Sequence, residues 1–286
     1  MFDLLSTHSG ALVLAAAVLG LLIGSFLNVV IHRLPKMLER EWREQCAWLH
    51  GETQAQEAGP TPAYNLVLPP SACPHCGHRI RWFENIPVLS WLALRGRCAQ
   101  CGGTISPRYP VVEALTGALF AYAAWRWGLG VETLWVWALL AILVALTFID
   151  LDTQLLPDSL TLPLAWLGLL ANLHGRFVPL EEAVLGAVIG YLSLWSVYQL
   201  FKLLTGKEGM GFGDFKLLAA LGAWMGWKML LPIVLAASLA GALIGVSLVL
   251  FRGRERSQPL PFGPWLSLGG LVCLFWGGEI LQAWLG

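Results

Sequence analysis

Charge is scarce in this 286-residue chain: only 13% of it is Asp, Glu, Lys or Arg, where a soluble domain carries about 25%. With 57% hydrophobic residues, that shortage leaves too little polar surface for a soluble globule. It excludes disorder as well, because a chain that stays unfolded is rich in charge and poor in apolar side chains. Neither sign is in excess, since Lys+Arg and Asp+Glu number 18 each, and no basic stripe marks a nucleic-acid binder. No Lys or Arg precedes Arg33, and the first charge is Asp3. The basic start of a secretory signal is thus missing, and the first apolar segment is expected to stay in the membrane. Internal repeats are absent, as is any dinucleotide-type glycine fingerprint after a strand.

What is present is a series of long apolar runs. Gly10 to Ile31 is uncharged and long enough to span a bilayer. Further runs follow at about 111–125, 131–149, 155–173, 180–201, 214–227, 229–251 and 260–284. The expected fold is an all-α polytopic membrane protein of about eight transmembrane helices with one small cytoplasmic insert. Residues 1–31 form the first helix, 32–110 the insert and 111–286 a seven-helix core. Within the insert, 36–50 reads as a short amphipathic helix and 51–70 as a polar linker. With the N-terminus outside, every Lys and Arg except Arg126, Arg176 and Lys228 falls on the inner side, as the positive-inside rule requires. Trp125, Trp127, Trp135 and Trp137 then flank an outer turn at headgroup level. The segment between Lys216 and Lys228 is too short to cross about 30 Å of hydrocarbon, so it is a short span or a partly re-entrant one.

Two knuckles lie in the insert: Cys73-Pro74-His75-Cys76 and Cys98-Ala99-Gln100-Cys101, 21 residues apart. Four thiolates so arranged close a tetrahedron around structural Zn²⁺ with no position left for water. Two disulfides are the alternative, disfavoured in a reducing cytoplasm. His75 and His78 read as knuckle residues or substitute ligands, and Cys46 and Cys273 as apolar packing.

The second constellation is acidic. One span ends Thr147-Phe148-Ile149-Asp150-Leu151-Asp152 and runs on to Leu156-Pro157-Asp158, while the sixth segment opens Gly211-Phe212-Gly213-Asp214-Phe215-Lys216. A carboxylate at a membrane boundary is costly unless hydrated, paired or functional. Asp158 after Pro157 suits a helix start, and Asp214 alone could cap its helix. Asp152 is either hydrated at the interface or a neighbour that tunes the others. Asp150, at a helix C-terminus, opposes the helix dipole and needs another explanation. Two carboxylates brought together share a proton, which is the arrangement of an aspartic protease. A cation-coupled transporter site uses the same residue types, and both readings stand on residue chemistry alone. The glycines before Asp214 allow close backbone approach or positive φ.

A third stretch, Gly24 to Pro35, reads as a tightly packed helix with Asn28 in need of a partner, running into a basic end. Gly241 and Gly245 form a weak GxxxG match.

Taken together, Gly24-to-Pro35, the paired CxxC motifs, Thr147-to-Asp158 and Gly211-to-Lys216 resemble, in order, the bifunctional prepilin peptidases of type IV pilus and type II secretion systems, membrane aspartic proteases of the GxGD class. The resemblance implies a bacterial inner-membrane enzyme whose substrates are prepilins or pseudopilins, cleaved after the leader's terminal glycine. It implies Asp150 and Asp214 as the catalytic pair, with Gly211, Gly213 and Lys216 positioning backbone and substrate. It further implies N-methylation of the new N-terminus from S-adenosylmethionine, with Gly96 linked to that activity. The rivals are a transporter, which predicts dependence on an ion gradient, and a zinc-stabilised scaffold, which predicts indifference to loss of either aspartate.

Overall fold

A computed structural model describes residues 9–49, 63–252 and 260–285. The expectations placed on Asp3, on residues 51–62 of the 51–70 linker, and on Arg254 and Arg256 lie outside the described residues. The chain forms two compact units, Met1–Ala145 and Leu146–Gly286.

In the first unit, helix α1 runs unbroken from Ser9 to Leu49. The separate amphipathic helix expected over 36–50 is instead the continuation of the first span, through Pro35. Proline removes one N–H and favours a kink, yet the residues that follow it (KMLEREWREQCAWL) are mostly strong helix formers that carry the helix onward. After a short helix α2 (Leu89–Ala93) comes α3 (Arg108–Trp127), which packs antiparallel to α1. Small residues permit this: a Cβ on Gly20 would stand 2.7 Å from the Thr116 carbonyl oxygen, and one on Gly24 would stand 2.7 Å from Glu113 Cα. Farther along, the half-buried Asn28 finds its partner by donating to the Tyr109 carbonyl at 3.1 Å. Helix α4 (Val131–Thr153) follows, its Trp137 stacked on Phe120 with ring centroids 5.2 Å apart.

The second unit holds the end of α4, then α5 (Asp158–Ala171), α6 (Leu180–Thr205), α7 (Phe212–Met225), α8 (Leu230–Arg252) and α9 (Gly263–Leu285). Helix α7 is its centre. Phe215, Leu217, Leu218, Leu221 and Trp224 are fully buried, enclosed chiefly by α5, α6 and α9. Where α6 crosses α7, Gly186 and Gly222 meet so closely that a Cβ on either would run into the other's backbone. Asn172, fully buried after α5, closes the C-terminal end of α7. Its amide donates to the carbonyls of Ala223 (2.9 Å) and Trp224 (3.1 Å), and its oxygen accepts the N–H groups of Phe177 and Val178.

Among the described residues eight long helices stand where eight apolar runs were read, but five are long and apolar enough to cross a membrane: Gly10–Leu49, Val131–Thr153, Leu180–Thr205, Trp227–Ser247 and Gly263–Ala283. At 14 residues each, α5 and α7 reach only about 21 Å. For α7 the reason is its surroundings: a short apolar segment is stable when protein rather than lipid covers it. No strand occurs among the described residues; the insert has two isolated β-bridges, Ala72 with Arg79 and Arg97 with Thr104.

Candidate active site and metal centre

Each cysteine knuckle is built by its own short hydrogen bonds. Cys73 N–H donates to the His78 carbonyl (2.8 Å) and Gly77 N–H to the Cys73 carbonyl (2.9 Å); the second knuckle repeats this with Cys98, Gly103 and Gly102. The reversal puts Gly77 at φ +72° and Gly102 at φ +69°, a region that glycine enters without cost. As a result the four sulfurs lie within 4.8 Å of one another, with Cys73 to Cys101 and Cys76 to Cys98 each 3.9 Å apart. A tetrahedron of Zn–S bonds of about 2.3 Å has edges of about 3.8 Å, so the donor set fits a zinc ion. Disulfides, at about 2.05 Å, do not fit these separations.

At Cys73 and Cys98 the backbone favours thiolate, while burial and the neighbouring sulfurs push Cys76 up. The N–H groups of Cys76 and His75 point at the Cys73 sulfur and bring its pKa down to about 7, and those of Cys101 and Gln100 lower Cys98. His75 and His78 are not in the sulfur cluster. His78 Nε2 faces Glu84 at 3.2 Å, and Glu84 also accepts the Arg81 N–H at 2.8 Å, first of the contacts that hold its carboxyl below the usual range. Gly96 forms the turn before the second knuckle at φ +68°, with the Trp91 ring over it at a distance that a Cβ would violate (2.8 Å). Of the two remaining cysteines, Cys273 is buried and Cys46 is exposed.

The acidic residues converge in the second unit. Asp150 is 4% exposed and Asp214 is 7% exposed, and both line one cavity of about 350 Å³. Asp150 sits in the last turn of α4, where a negative charge opposes the helix dipole. Gly263, first residue of α9, answers this: its N–H donates to Asp150 Oδ2 at 3.0 Å. A helix N-terminus thus faces the end of another helix, and the carboxylate lies between them. Asp214 stands in the first turn of α7, and its Oδ1 is buried with no hydrogen-bond partner. A buried acceptor left open in a cavity is one that a water or a substrate group can fill.

Gly211 and Gly213 line the same cavity. Neither has positive φ; Gly211 precedes α7 at φ −79°. Close approach explains Gly213, where a Cβ would come 2.6 Å from Leu156 Cβ. Lys216 binds Asp158 instead of lining the cavity, with its Nζ donating to both carboxylate oxygens at 2.6 and 2.8 Å. This pair joins the N-terminal turns of α5 and α7, and Asp158 takes the helix-start position expected of it. Asp152 is exposed.

Of the remaining walls, Gln154 and Leu156 fall inside the Thr147-to-Asp158 stretch, whereas Gly209, Met210 and the segment Leu260-Pro261-Phe262 had no signal among the motifs. Gln154, just after α4, has φ +54°, and its N–H donates to the Asp150 carbonyl at 2.9 Å. A Pro-Phe-Gly-Pro run before an apolar helix is the one cue that could have pointed to Gly263.

The comparisons cover almost the entire chain. Residues 18–127 match the Bacterial Peptidase A24 N-terminal domain, and residues 137–246 match the Type IV leader peptidase family. A protein of Stutzerimonas stutzeri named prepilin leader peptidase/N-methyltransferase is 53% identical over 287 residues, 99% of this chain and 97% of its own length. One of the same name in Pseudomonas aeruginosa is 53% identical over 290 residues, with 100% and 97% covered. Another, from Aeromonas hydrophila, is 56% identical over 266 residues, with 93% and 91% covered. No solved structure matches. At these identities, over these lengths, the chain belongs to the type IV leader peptidase family.

Proposed function

We propose that this chain is an inner-membrane aspartic endopeptidase that cleaves the leaders of type IV prepilins or pseudopilins after glycine, at the cytoplasmic face, and then N-methylates the new N-terminus. The observation that carries the peptidase reading is the convergence of Asp150 and Asp214, both buried, on one glycine-walled cavity. Two carboxylates in one site hold a single proton between them. The ionised one takes a proton from water as the water oxygen bonds to the carbonyl carbon, and the protonated one gives its proton to the carbonyl oxygen. The tetrahedral diol collapses as the C–N bond breaks, with one proton passing to the leaving amine and the other returning to the pair. Gly211 leaves room for an extended backbone beside Asp214, Gly213 positions the start of α7 by packing against Leu156, and Lys216 supports the site through Asp158.

Zinc on Cys73, Cys76, Cys98 and Cys101 has a structural role, holding the two knuckles together. S-adenosylmethionine is the methyl donor for the exposed amine. Gly96 serves that activity through the turn it shapes under Trp91. The name shared by relatives at 53–56% identity supports this second activity.

The test is mass spectrometry of a prepilin-like peptide incubated with purified protein and S-adenosylmethionine, beside the Asp214→Asn variant. A product cut after glycine and heavier by one methyl group, absent in the variant, is expected. An untouched peptide from folded, zinc-loaded protein would overturn the proposal.

A further inference from the structure

The cysteine insert carries an apolar face that its own core does not use. Trp82 is 82% exposed, Leu89 is 65% and Leu92 is 58%, with Phe83 and Ile86 also uncovered beside them. These values match those of Leu14 (67%) and Leu22 (55%) on α1, whose surroundings in a membrane are lipid tails.

Depth is fixed by two contacts. Gly24 lies against Glu113 Cα, so residue 113 of α3 is level with residue 24 of α1. Glu113 Oε2 in turn accepts the N–H of Val88, the residue that precedes α2, at 2.7 Å. Gly24 stands seven residues inside the end of the uncharged run at Ile31, about 10 Å along the helix. The start of α2 is therefore anchored below the level at which the apolar part of α1 ends. Val88 is held there at φ +61°, a conformation that a β-branched residue adopts only under constraint.

Charge selects the kind of surface. Between residues 63 and 107 the basic residues Arg79, Arg81, Arg95 and Arg97 meet one acid, Glu84, which His78 engages. All four arginines are exposed, and the Arg81 guanidinium lies 5.8 Å from the Phe83 ring centroid. Exposed tryptophan and leucine edged by arginine is the composition of a segment that beds into an anionic headgroup layer.

We propose that the zinc insert is a membrane-embedded element, not a free head: Trp82, Ile86, Leu89 and Leu92 enter the bilayer interface, and Arg79, Arg81, Arg95 and Arg97 bind anionic phospholipid headgroups. Zinc then stiffens a platform seated on the lipid surface. The proposal stands independently of the catalytic reading.

Full-length protein carrying p-benzoylphenylalanine at Leu89, and separately at Gln100 on the exposed second knuckle, is to be photolysed in nanodiscs of phosphatidylethanolamine and phosphatidylglycerol. Adducts are identified by mass, and zinc content verifies folding. Position 89 should yield phospholipid adducts at least about fivefold above position 100. In phosphatidylcholine alone, or with Arg79→Gln and Arg81→Gln, the yield at position 89 should fall about fivefold or more. Adducts at position 89 to protein, including this chain's own residues 50–62, or equal lipid yields at both positions would overturn the embedding. A yield unaffected by both lipid composition and the arginine changes would overturn the anionic headgroup assignment.

Discussion

At the scale of single residues, the two aspartates differ in what surrounds them. Asp150 has a backbone donor in Gly263, whereas Asp214 Oδ1 is buried without a partner. Asp150→Asn or Asp214→Asn should each reduce cleavage about 1,000-fold or more while leaving methylation of an already cut peptide near normal. Assays of both activities on the same preparations check this, and joint loss would argue for misfolding or a shared site. Gly263→Ala is the more specific probe, because its Cβ would stand 2.6 Å from Asp150 Oδ2. Displacing that oxygen should lower kcat about 100-fold with little change in KM, since the substrate meets the rest of the cavity unaltered. Steady-state kinetics would separate the two parameters. Asp150 and Asp214 were legible as a pair from residue type and position, with the Gly-x-Gly before Asp214 marking the second. Gly263 was not, because a backbone N–H has no residue-type signature and depends on where α9 begins.

Among the elements, α7 depends on its ends. Asn172→Ala would leave the carbonyls of Ala223 and Trp224 and the N–H groups of Phe177 and Val178 without their side-chain partner. A loss of roughly 2–4 kcal/mol is expected, measurable as a fall in unfolding temperature in detergent. The insert offers a pH-dependent counterpart. Folding lowers the Glu84 pKa through the Arg81 N–H and then His78, so its stabilisation is complete above the unfolded carboxylate value and is lost as pH falls through the lower folded value. Glu84→Gln should therefore raise hydrogen exchange over 78–93 at neutral pH, and the difference from the parent should begin to close only once pH falls below the ordinary carboxylate value of about 4.3. A difference that persists in acid would show that the carboxylate charge is not what holds the segment. The helix spacing was readable from apolar runs, and most boundaries lie within a few residues of expectation. The continuation of α1 through Pro35 was not readable, because proline marks a probable break and only the flanking helix formers decide otherwise.

For the whole molecule, two compact units imply two cooperative transitions. The zinc-bearing insert of the first unit should unfold when chelator removes the metal, as small metal modules do, while the unit that holds Asp150 and Asp214 keeps its own transition. Calorimetry with and without chelator checks this, and a single transition that shifts as a block would contradict it. The span count belongs to this scale too. Eight runs were read and eight long helices stand among the described residues, of which five meet the requirements of length and apolarity. A hydropathy pattern reports how apolar a segment is and not whether lipid or protein surrounds it, so α7 looked like a poor span when it is a buried centre.

By itself the sequence determined that the chain is helical and membrane-bound, that four cysteines sit in two matched knuckles, and that one acid stands near a helix end and another at a helix start. These follow from composition, periodicity and local spacing, which act over a few residues. Tertiary structure alone decided which groups meet: Gly263 at Asp150, Leu156 against Gly213, Lys216 on Asp158, and Val88 anchored on Glu113. Each of these contacts joins distant parts of the chain, and only the packing of one helix against another sets its distance.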